Sequence, residues 1–202
     1  GVSTTFPLSI ALASLNATGF HKTLSVSGTA TSNSNGTVPL TGSLDITETA
    51  ADAGSSFENQ AALQVTENLT GVFNINNASD NFSGINQNFL STNNLLLGAQ
   101  SSTSYCVAST PGQYPQAITI GQAQLVVNYV CYADPTKTPP PIGTGKVSFV
   151  VTAGSSPTTA TFSTIETFMD TSGLQVSYLQ KNFLVDTSGT ISFISLSYLG
   201  SL

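Results

Sequence analysis

The sequence predicts an all-β protein folded as a β-sandwich, and two observations support this prediction. Apolar residues occupy alternate positions in many short segments of the 202-residue chain, whereas the spacing typical of an amphipathic helix is almost absent. Turn residues interrupt these segments about every 8 to 15 residues, which is the pattern of a sandwich built from many short strands. A chain of this length is also long enough to bury a core.

The first predicted strand lies at the N terminus. Its apolar residues fall on every second position, so an extended backbone places them on one face: Phe6, Leu8, Ile10 and Leu12. The residues between them are small or proline, and the first charged residue is Lys22. We therefore predict that residues 1–15 form a detachable strand and residues 16–202 form the sandwich body. Such a strand can pair within its own sheet, which gives a monomer, or with another molecule, which gives a filament.

The body strands follow the same alternation. They are predicted around residues 23–30, 37–48, 63–65, 72–75, 118–130, 147–151, 162–165, 174–184 and 190–202. Two copies of Asp-Thr-Ser-Gly, beginning at Asp170 and Asp186, predict tight turns between the last strands, because aspartate can bond nearby amides and glycine can adopt positive φ. The Asn- and Ser-rich stretch 76–115 and the Pro-rich stretch 134–141 are predicted as loops.

The composition is unusually poor in charge. Only 7% of residues are charged, against about 25% in ordinary globular domains, and the cations are four lysines. A surface of neutral hydroxyl and amide groups keeps its charge nearly constant as the pH falls, which suits an acidic, extracellular setting; an ordinary secreted glycoprotein is the alternative. The net charge of -6 argues against a nucleic-acid partner, and no apolar run is long enough to predict a membrane span. The N-terminal stretch lacks the basic start of a signal peptide, so the chain is expected to begin after one was removed.

Two cysteines, Cys106 and Cys131, lie 25 positions apart, each in a strand-like context. In a chain of secreted character this pair predicts one disulfide, with a buried pair of free thiols as the alternative. Two thiols and one histidine provide too few ligands for a typical zinc site, so no metal or cofactor is predicted.

No recognisable catalytic motif is present. The two Asp-Thr-Ser-Gly copies resemble the aspartates of aspartic proteases, but they are only sixteen residues apart and are better explained as hairpin turns. His21 is the single histidine and has no neighbouring nucleophile motif. A carboxylate pair such as Asp45 and Glu48 could serve a glycosidase, but a solvated strand edge is the commoner explanation. We therefore predict that the protein is not an enzyme.

Five Asn-X-Ser/Thr sequons occur in stretches rich in turn residues, and we predict N-linked glycans at several of them. They begin at Asn16, Asn35, Asn68, Asn77 and Asn81. About four would arise by chance in a chain this rich in Asn, Ser and Thr, so their placement in apparent turns is the main argument.

Taken together, these features resemble the subunits of archaeal thread filaments, the donor-strand-complemented pilins of thermoacidophilic archaea. The resemblance rests on the free apolar strand from Phe6 to Leu15, the charge-poor all-β body, the sequons and the cysteine pair. It implies an incomplete immunoglobulin-like sandwich and a head-to-tail homopolymer of identical subunits, in which one subunit's N-terminal strand fills the groove of the next. It also implies a glycosylated, cell-surface filament with a role in adhesion and biofilm. The strand from Ile191 to Leu199 is our prediction for one groove wall.

Three other interpretations remain open. The first is a monomeric secreted carbohydrate-binding or adhesin module, in which residues 1–15 pair within their own sheet. Its candidate aromatic platform is Tyr105, Tyr114, Tyr129 and Tyr132. The second is a surface-layer or viral coat protein held together by lateral contacts, and the third is a secreted enzyme.

Overall fold

The computed structural model describes residues 4–32, 36–75, 78–138 and 140–200. Within these ranges the chain forms one helix and fourteen strands. The helix is α1 (Leu8–Thr18), and the strands are β1 (Thr5–Phe6), β2 (Phe20–Ser32), β3 (Gly36–Glu48), β4 (Asp52–Phe57), β5 (Gln60–Ile75), β6 (Ala78–Leu90), β7 (Leu96–Gln100), β8 (Tyr105–Gly112), β9 (Ile118–Thr119), β10 (Ala123–Tyr132), β11 (Gly143–Ala153), β12 (Thr159–Asp170), β13 (Gln175–Asp186) and β14 (Ile191–Leu199). No helix in these ranges is long and apolar enough to cross a membrane.

Twelve of the strands belong to one continuous antiparallel sheet. Its order is β14-β13-β12-β11-β10-β8-β7-β6-β5-β3-β2, and β4 pairs with β5 beside this path. The short strands β1 and β9 form a separate pair. The prediction of a nearly all-β protein is therefore confirmed, whereas the described sheet is continuous and is not divided into two immunoglobulin-like sheets.

The sheet curls until its two ends approach each other, which makes it a near-barrel. The ring of Phe20 on β2 stacks on that of Phe193 on β14, with centroids 4.8 Å apart. The main core fills the interior at this end and includes Phe6, Phe149 and Phe162, which are fully buried. Strands alternate inward apolar and outward polar residues, so one curled sheet can enclose a core without a second sheet.

The prediction of loops over residues 76–115 is wrong for most of that stretch. The structure places β6, β7 and β8 there, and the last two lie between β6 and β10 in the sheet. On β6, Asn86 and Asn88 face the barrel interior, whereas Phe89 lies on the opposite face and stacks on Phe57 of β4 in a separate buried cluster that includes Leu97. High Asn and Ser content masked this alternation, because these residues also favour turns.

The two Asp-Thr-Ser-Gly turns are confirmed. The carboxylate of Asp170 accepts hydrogen bonds from the Ser172 hydroxyl and from the Leu174 backbone N–H, and Asp186 does the same with Ser188 and Thr190. These bonds, led by the serine hydroxyl, lower the pKa of each aspartate. Each carboxylate is thus committed to its own turn.

The disulfide prediction is confirmed as well. Cys106 on β8 and Cys131 on β10 lie directly opposite each other in the sheet and are bonded. Cys131 is fully buried, and the bridge joins neighbouring strands across a sequence separation of 25 residues.

We expect the double substitution Cys106→Ala/Cys131→Ala to lower the free energy of unfolding by about 3.5 kcal/mol, because it removes the constraint on the unfolded chain. Chemical denaturation of the oxidised wild type and the variant measures the difference. A loss under about 1 kcal/mol would contradict a structural role for the bridge.

Candidate functional site

The N-terminal segment does not adopt the extended conformation predicted for it. Only Thr5 and Phe6 are extended, in β1, and the chain then forms α1 from Leu8 to Thr18. The predicted detachable strand is therefore a helix in this structure. The physical reason is that an isolated strand leaves its backbone groups unpaired, whereas a helix pairs its own.

Two residues delimit the helix, and both were visible in the sequence. Pro7 occupies the N-cap position, and its carbonyl accepts the backbone N–H of Ala11. Gly19 ends the helix with φ of 63°, and its N–H donates to the carbonyl of Leu15. A side chain at Gly19 would collide with the backbone of Glu48, so glycine is required there. Proline before a segment and glycine after it is a helix signal, but the period-two alternation of Phe6 to Leu12 obscured it.

The segment carries two overlapping apolar patterns. In the helix, Leu8, Ala11 and Leu15 share one face and are buried, as expected for a spacing of three and four residues. Leu12 is only partly buried, and Ile10 remains 60% exposed. Of the four predicted strand residues, the helix therefore leaves Ile10 outside the core.

Helix α1 has weak intrinsic support. It is 11 residues long, has no side-chain hydrogen bond at its N-cap, and carries no acidic residue in its first turn or basic residue in its last. Helices of this length are marginal alone, so α1 owes its stability to packing of its buried face. It lies over one end of the barrel interior, where Leu12, Leu15 and Asn16 border a cavity of about 140 Å³.

Next to α1 lies a seam, which we define as the gap between β2 and β14. In the described ranges, β2 pairs only with β3, and β14 pairs only with β13, so both seam-facing edges lack a backbone partner. Side chains close the gap instead: Phe20 stacks on Phe193, and Leu196 packs against the main core and a second cluster on β3 and β5. The strand Ile191–Leu199, predicted as one wall of an acceptor groove, forms one side of this seam.

The number of strands sets the relative direction of the two seam edges. The path from β14 to β2 contains eleven strands, and every adjacent pair on it is antiparallel. An odd number of alternating strands leaves the first and last running in the same direction. One added strand of opposite direction would make antiparallel hydrogen bonds with β2 on one side and β14 on the other.

A cleft of about 290 Å³ marks the end of the seam that adjoins the helix. Its lining residues come from the C-terminal half of α1, the start of β2 and the start of β14: Ser14, Leu15, Thr18, Gly19, Phe20, His21, Lys22, Ile191, Ser192 and Phe193. The N-terminal segment thus borders the unpaired edges of its own sheet.

Beneath α1, the barrel interior holds a cluster of charged side chains. The Lys181 Nζ lies 2.5 Å from Glu67 Oε2 and 3.8 Å from Glu166 Oε1. Glu67 is fully buried, and its second oxygen accepts a hydrogen bond from Asn86. Glu166 and Lys181 border the same cavity as the helix and Glu48, and the Glu166 side chain is 42% exposed.

Three carboxylates facing one ammonium shift the proton affinities of the cluster. Burial raises the pKa of Glu48 to about 7, opposed by Lys181 and supported by the other two carboxylates. Burial also raises the pKa of Glu166. Burial alone would lower the pKa of Lys181, but the surrounding carboxylates outweigh it and the pKa is raised.

We expect the protein to be more stable in acid than at neutral pH. The pKa of Glu48 is 4.5 in the unfolded chain and about 7 in the folded protein, so the folded state binds the proton more tightly. The resulting stabilisation is complete below pH 4.5 and is lost as the pH rises to about 7. For Glu48 the loss is on the order of 3 kcal/mol. Glu48→Gln should flatten the stability profile over this interval, whereas Asp80→Asn, at an exposed carboxylate, should not. Chemical denaturation at several pH values from 4 to 8 measures the free energy of unfolding of each variant. The same pH dependence for both variants would contradict the prediction.

The remaining predicted site residues are scattered. Asn16 is half-buried at the end of α1, while Asn68 and Asn81 lie within β5 and β6 and not in turns as expected. Asn35 and Asn77 lie outside the described residues. On neighbouring strands, the exposed His21 Nε2 lies 2.8 Å from Asp45 Oδ1, and the Thr23 hydroxyl donates to the same carboxylate.

The predicted aromatic platform is wrong. Tyr105 and Tyr129 are buried, Tyr114 packs against the main core, and Tyr132 is half-buried. Tyr129 faces the interior through the alternation of β10, whereas Tyr105 lies on the opposite face of the sheet and packs against Phe57 in a separate buried cluster. In the described ranges no group of three or more His, Cys, Asp or Glu residues is placed to hold a metal ion.

Comparison with known proteins gave no match to a family model, to a curated protein or to a solved structure. The class of protein that this fold defines is therefore stated from geometry alone: a curled antiparallel sheet whose terminal strands, β2 and β14, approach each other without pairing in the described ranges.

Proposed function

We propose that the protein is the structural subunit of an extracellular adhesive filament. In this proposal the N-terminal segment leaves its own body and enters the seam of the next subunit as a strand, which joins identical subunits into a homopolymer. The observation that carries the proposal is the seam, where β2 and β14 run in the same direction with no backbone partner on the facing edges. An inserted strand would pair with both edges, as in β-strand addition.

The length and sequence of the segment fit this role. The seven residues from Phe6 to Leu12 span about 23 Å when extended, and the nine residues of β14 span about 30 Å. An extended segment presents Phe6, Leu8, Ile10 and Leu12 on one face, so these side chains can point into the core of the acceptor. Pro7, which lacks an N–H, fits near the start of the inserted strand.

The exchange replaces one set of buried groups by another. When α1 leaves its own subunit, its buried residues lose their contacts: Phe6, Leu8, Ala11 and Leu15. When the segment enters the next subunit as a strand, Phe6 and Leu8 are buried again, and Ile10 and Leu12 become more deeply buried than in the helix. Each large apolar side chain contributes about 1.5 to 3 kcal/mol on burial. Because the apolar terms nearly balance, assembly requires that the backbone hydrogen bonds gained at the two open edges outweigh those that α1 loses on unwinding.

Of the features implied by the resemblance, we retain the incomplete sheet and not the two-sheet arrangement. The disulfide is consistent with an oxidising, extracellular setting. Glycans on Asn68 and Asn81 would extend from the outward face, since both residues alternate with inward neighbours on β5 and β6.

Electron microscopy combined with hydrogen exchange tests the proposal. Negative-stain images of native material should show thin fibres. Backbone amides along β2 and β14 should exchange much more slowly in the fibres than in the monomer, because they gain partners only on assembly. Fibres with unchanged exchange at both edges would indicate lateral assembly, as in a surface layer, and dispersed particles under all conditions would contradict a filament.

A further inference from the structure

A groove on the outside of the barrel crosses β11, β12, β13 and β14, on the face opposite the charged interior. It has a volume of about 430 Å³. The register aligns Val150, Ser163, Asn182 and Ser195 in one row across the four strands. Ile165 and Gln180 lie opposite each other in the next row.

The polar side chains of the groove are held in place by one another. The Ser163 hydroxyl donates to Asn182 Oδ1 at 2.7 Å, and Gln180 Nε2 donates to the same oxygen at 2.7 Å. Asn182 Nδ2 donates to the Ser195 hydroxyl at 2.9 Å, and Tyr178 donates to the Gln180 amide oxygen. Because Asn182 accepts twice at one end and donates at the other, its amide has a single orientation. One N–H of Asn182, one N–H of Gln180 and the hydroxyl hydrogen of Ser195 remain for a ligand.

The groove is concave and partly apolar. Ser163 is on the outward face of β12 yet only 6% exposed, which shows that its neighbours rise around it. A β-bulge at Ile194 shifts the register of β14 against β13 between Asn182 and Phe183. Ile194 is 40% exposed beside this polar row, so aliphatic and amide groups alternate along the groove.

The nine residues that line the groove are all uncharged: Val150, Thr152, Thr161, Ser163, Ile165, Gln180, Asn182, Ile194 and Ser195. An ionic ligand would find no counter-charge among them. A sugar ring offers both hydroxyl groups, which match fixed amides and hydroxyls, and C–H faces, which match aliphatic side chains. The groove volume is within the range of small-molecule sites.

We infer that this outer groove binds neutral carbohydrate, through the hydrogen-bonded Ser163–Asn182–Ser195 row and the aliphatic side chains beside it. The inference does not depend on filament formation. If the subunits do polymerise, each contributes one groove, and many weak sites along a fibre would act together on a polysaccharide surface.

Isothermal titration of the protein with neutral hexasaccharides of glucose, mannose and galactose tests this inference, with hexagalacturonate as the charged comparison. We expect at least one neutral hexasaccharide to bind, and hexagalacturonate to bind more weakly. Asn182→Leu should weaken binding about tenfold, because it removes a donor and releases the orientation of its neighbours. Asn128→Leu, the same substitution on the outward face of β10, should leave binding unchanged.

The measurements use the Ile10→Asp variant described below as well as the wild type, so that a failure of filament formation is distinguished from a failure of carbohydrate binding. If Asn182→Leu proves unfolded by circular dichroism, Gln180→Ala and amide chemical-shift changes confined to β11–β14 take its place. Absence of binding for all three neutral hexasaccharides, equal affinity for hexagalacturonate, or unchanged binding by the folded groove variants would overturn the inference.

Discussion

Replacing Ile10 by aspartate is expected to abolish filament formation while leaving a folded monomer. In the helix, Ile10 is 60% exposed, so a carboxylate there remains in water and should change the free energy of unfolding by less than about 1 kcal/mol. In an inserted strand, the same position points into the acceptor's core, where an unpaired carboxylate costs several kcal/mol. The substitution therefore distinguishes the helix seen in this structure from the proposed inserted strand.

Ser9→Asp is the matched control, because Ser9 is the neighbouring residue and is also exposed in the helix. In an inserted strand it lies on the opposite face and points outward, so filaments should form normally. Electron microscopy and sedimentation velocity measure assembly, and thermal unfolding confirms that both monomers are folded. Equal assembly by the two variants would show that the segment does not insert as a strand.

Replacing Lys181 by methionine is expected to lower the free energy of unfolding by about 3 to 5 kcal/mol at neutral pH. The substitution removes the only cation beside Glu67, whose Oε2 has no hydrogen-bond partner in the described structure apart from the Lys181 ion pair. The buried carboxylate is then left without a counter-charge. Lys181 also opposes the raised pKa of Glu48, so its loss should cost less at pH 4, where Glu48 is protonated, than at pH 8.

Lys146→Met is the control, since Lys146 is exposed on β11, and it should change stability by less than about 0.5 kcal/mol. The double variant Lys181→Met/Glu67→Gln should recover part of the loss, because it removes the stranded charge. Denaturant unfolding of the wild type, Lys181→Met, Glu67→Gln and the double variant gives the coupling energy of the pair. A loss under about 1 kcal/mol for Lys181→Met would mean that water or other groups solvate Glu67.

The charged side chains of the interior cluster and the neutral polar side chains of the outer groove lie on opposite faces of the same strands. On β13, Lys181 points into the barrel and meets the carboxylates, while Asn182 points outward and joins the neutral row. The two faces can therefore be altered independently by neighbouring substitutions. The stability profile reports the inner face and carbohydrate titration reports the outer one.

Local signals in the sequence were sufficient for several features. Period-two alternation predicted the strands of the second half of the chain, and the Asp-Thr-Ser-Gly turns at Asp170 and Asp186 formed as expected. The Cys106–Cys131 pair was predicted from its number and context. In each case the relevant interaction is local or involves the only possible partner, so neighbouring residues determine the outcome.

Other features depended on contacts between distant residues. The segment from Phe6 to Leu15 carries both a strand pattern and a helix pattern, and the contacts of its buried face with the core favour the helix in this structure. Glu67, Glu166 and Lys181 carried no sequence signal that they would meet, because the curling of the sheet brings β5, β12 and β13 around one cavity. The seam likewise exists only because the curling of the sheet brings its two end strands, β2 and β14, close together. The sequence alone determined the all-β character, the turns and the disulfide, whereas tertiary structure decided the helix, the buried charges and the open edges, because these depend on which distant residues the closure brings together.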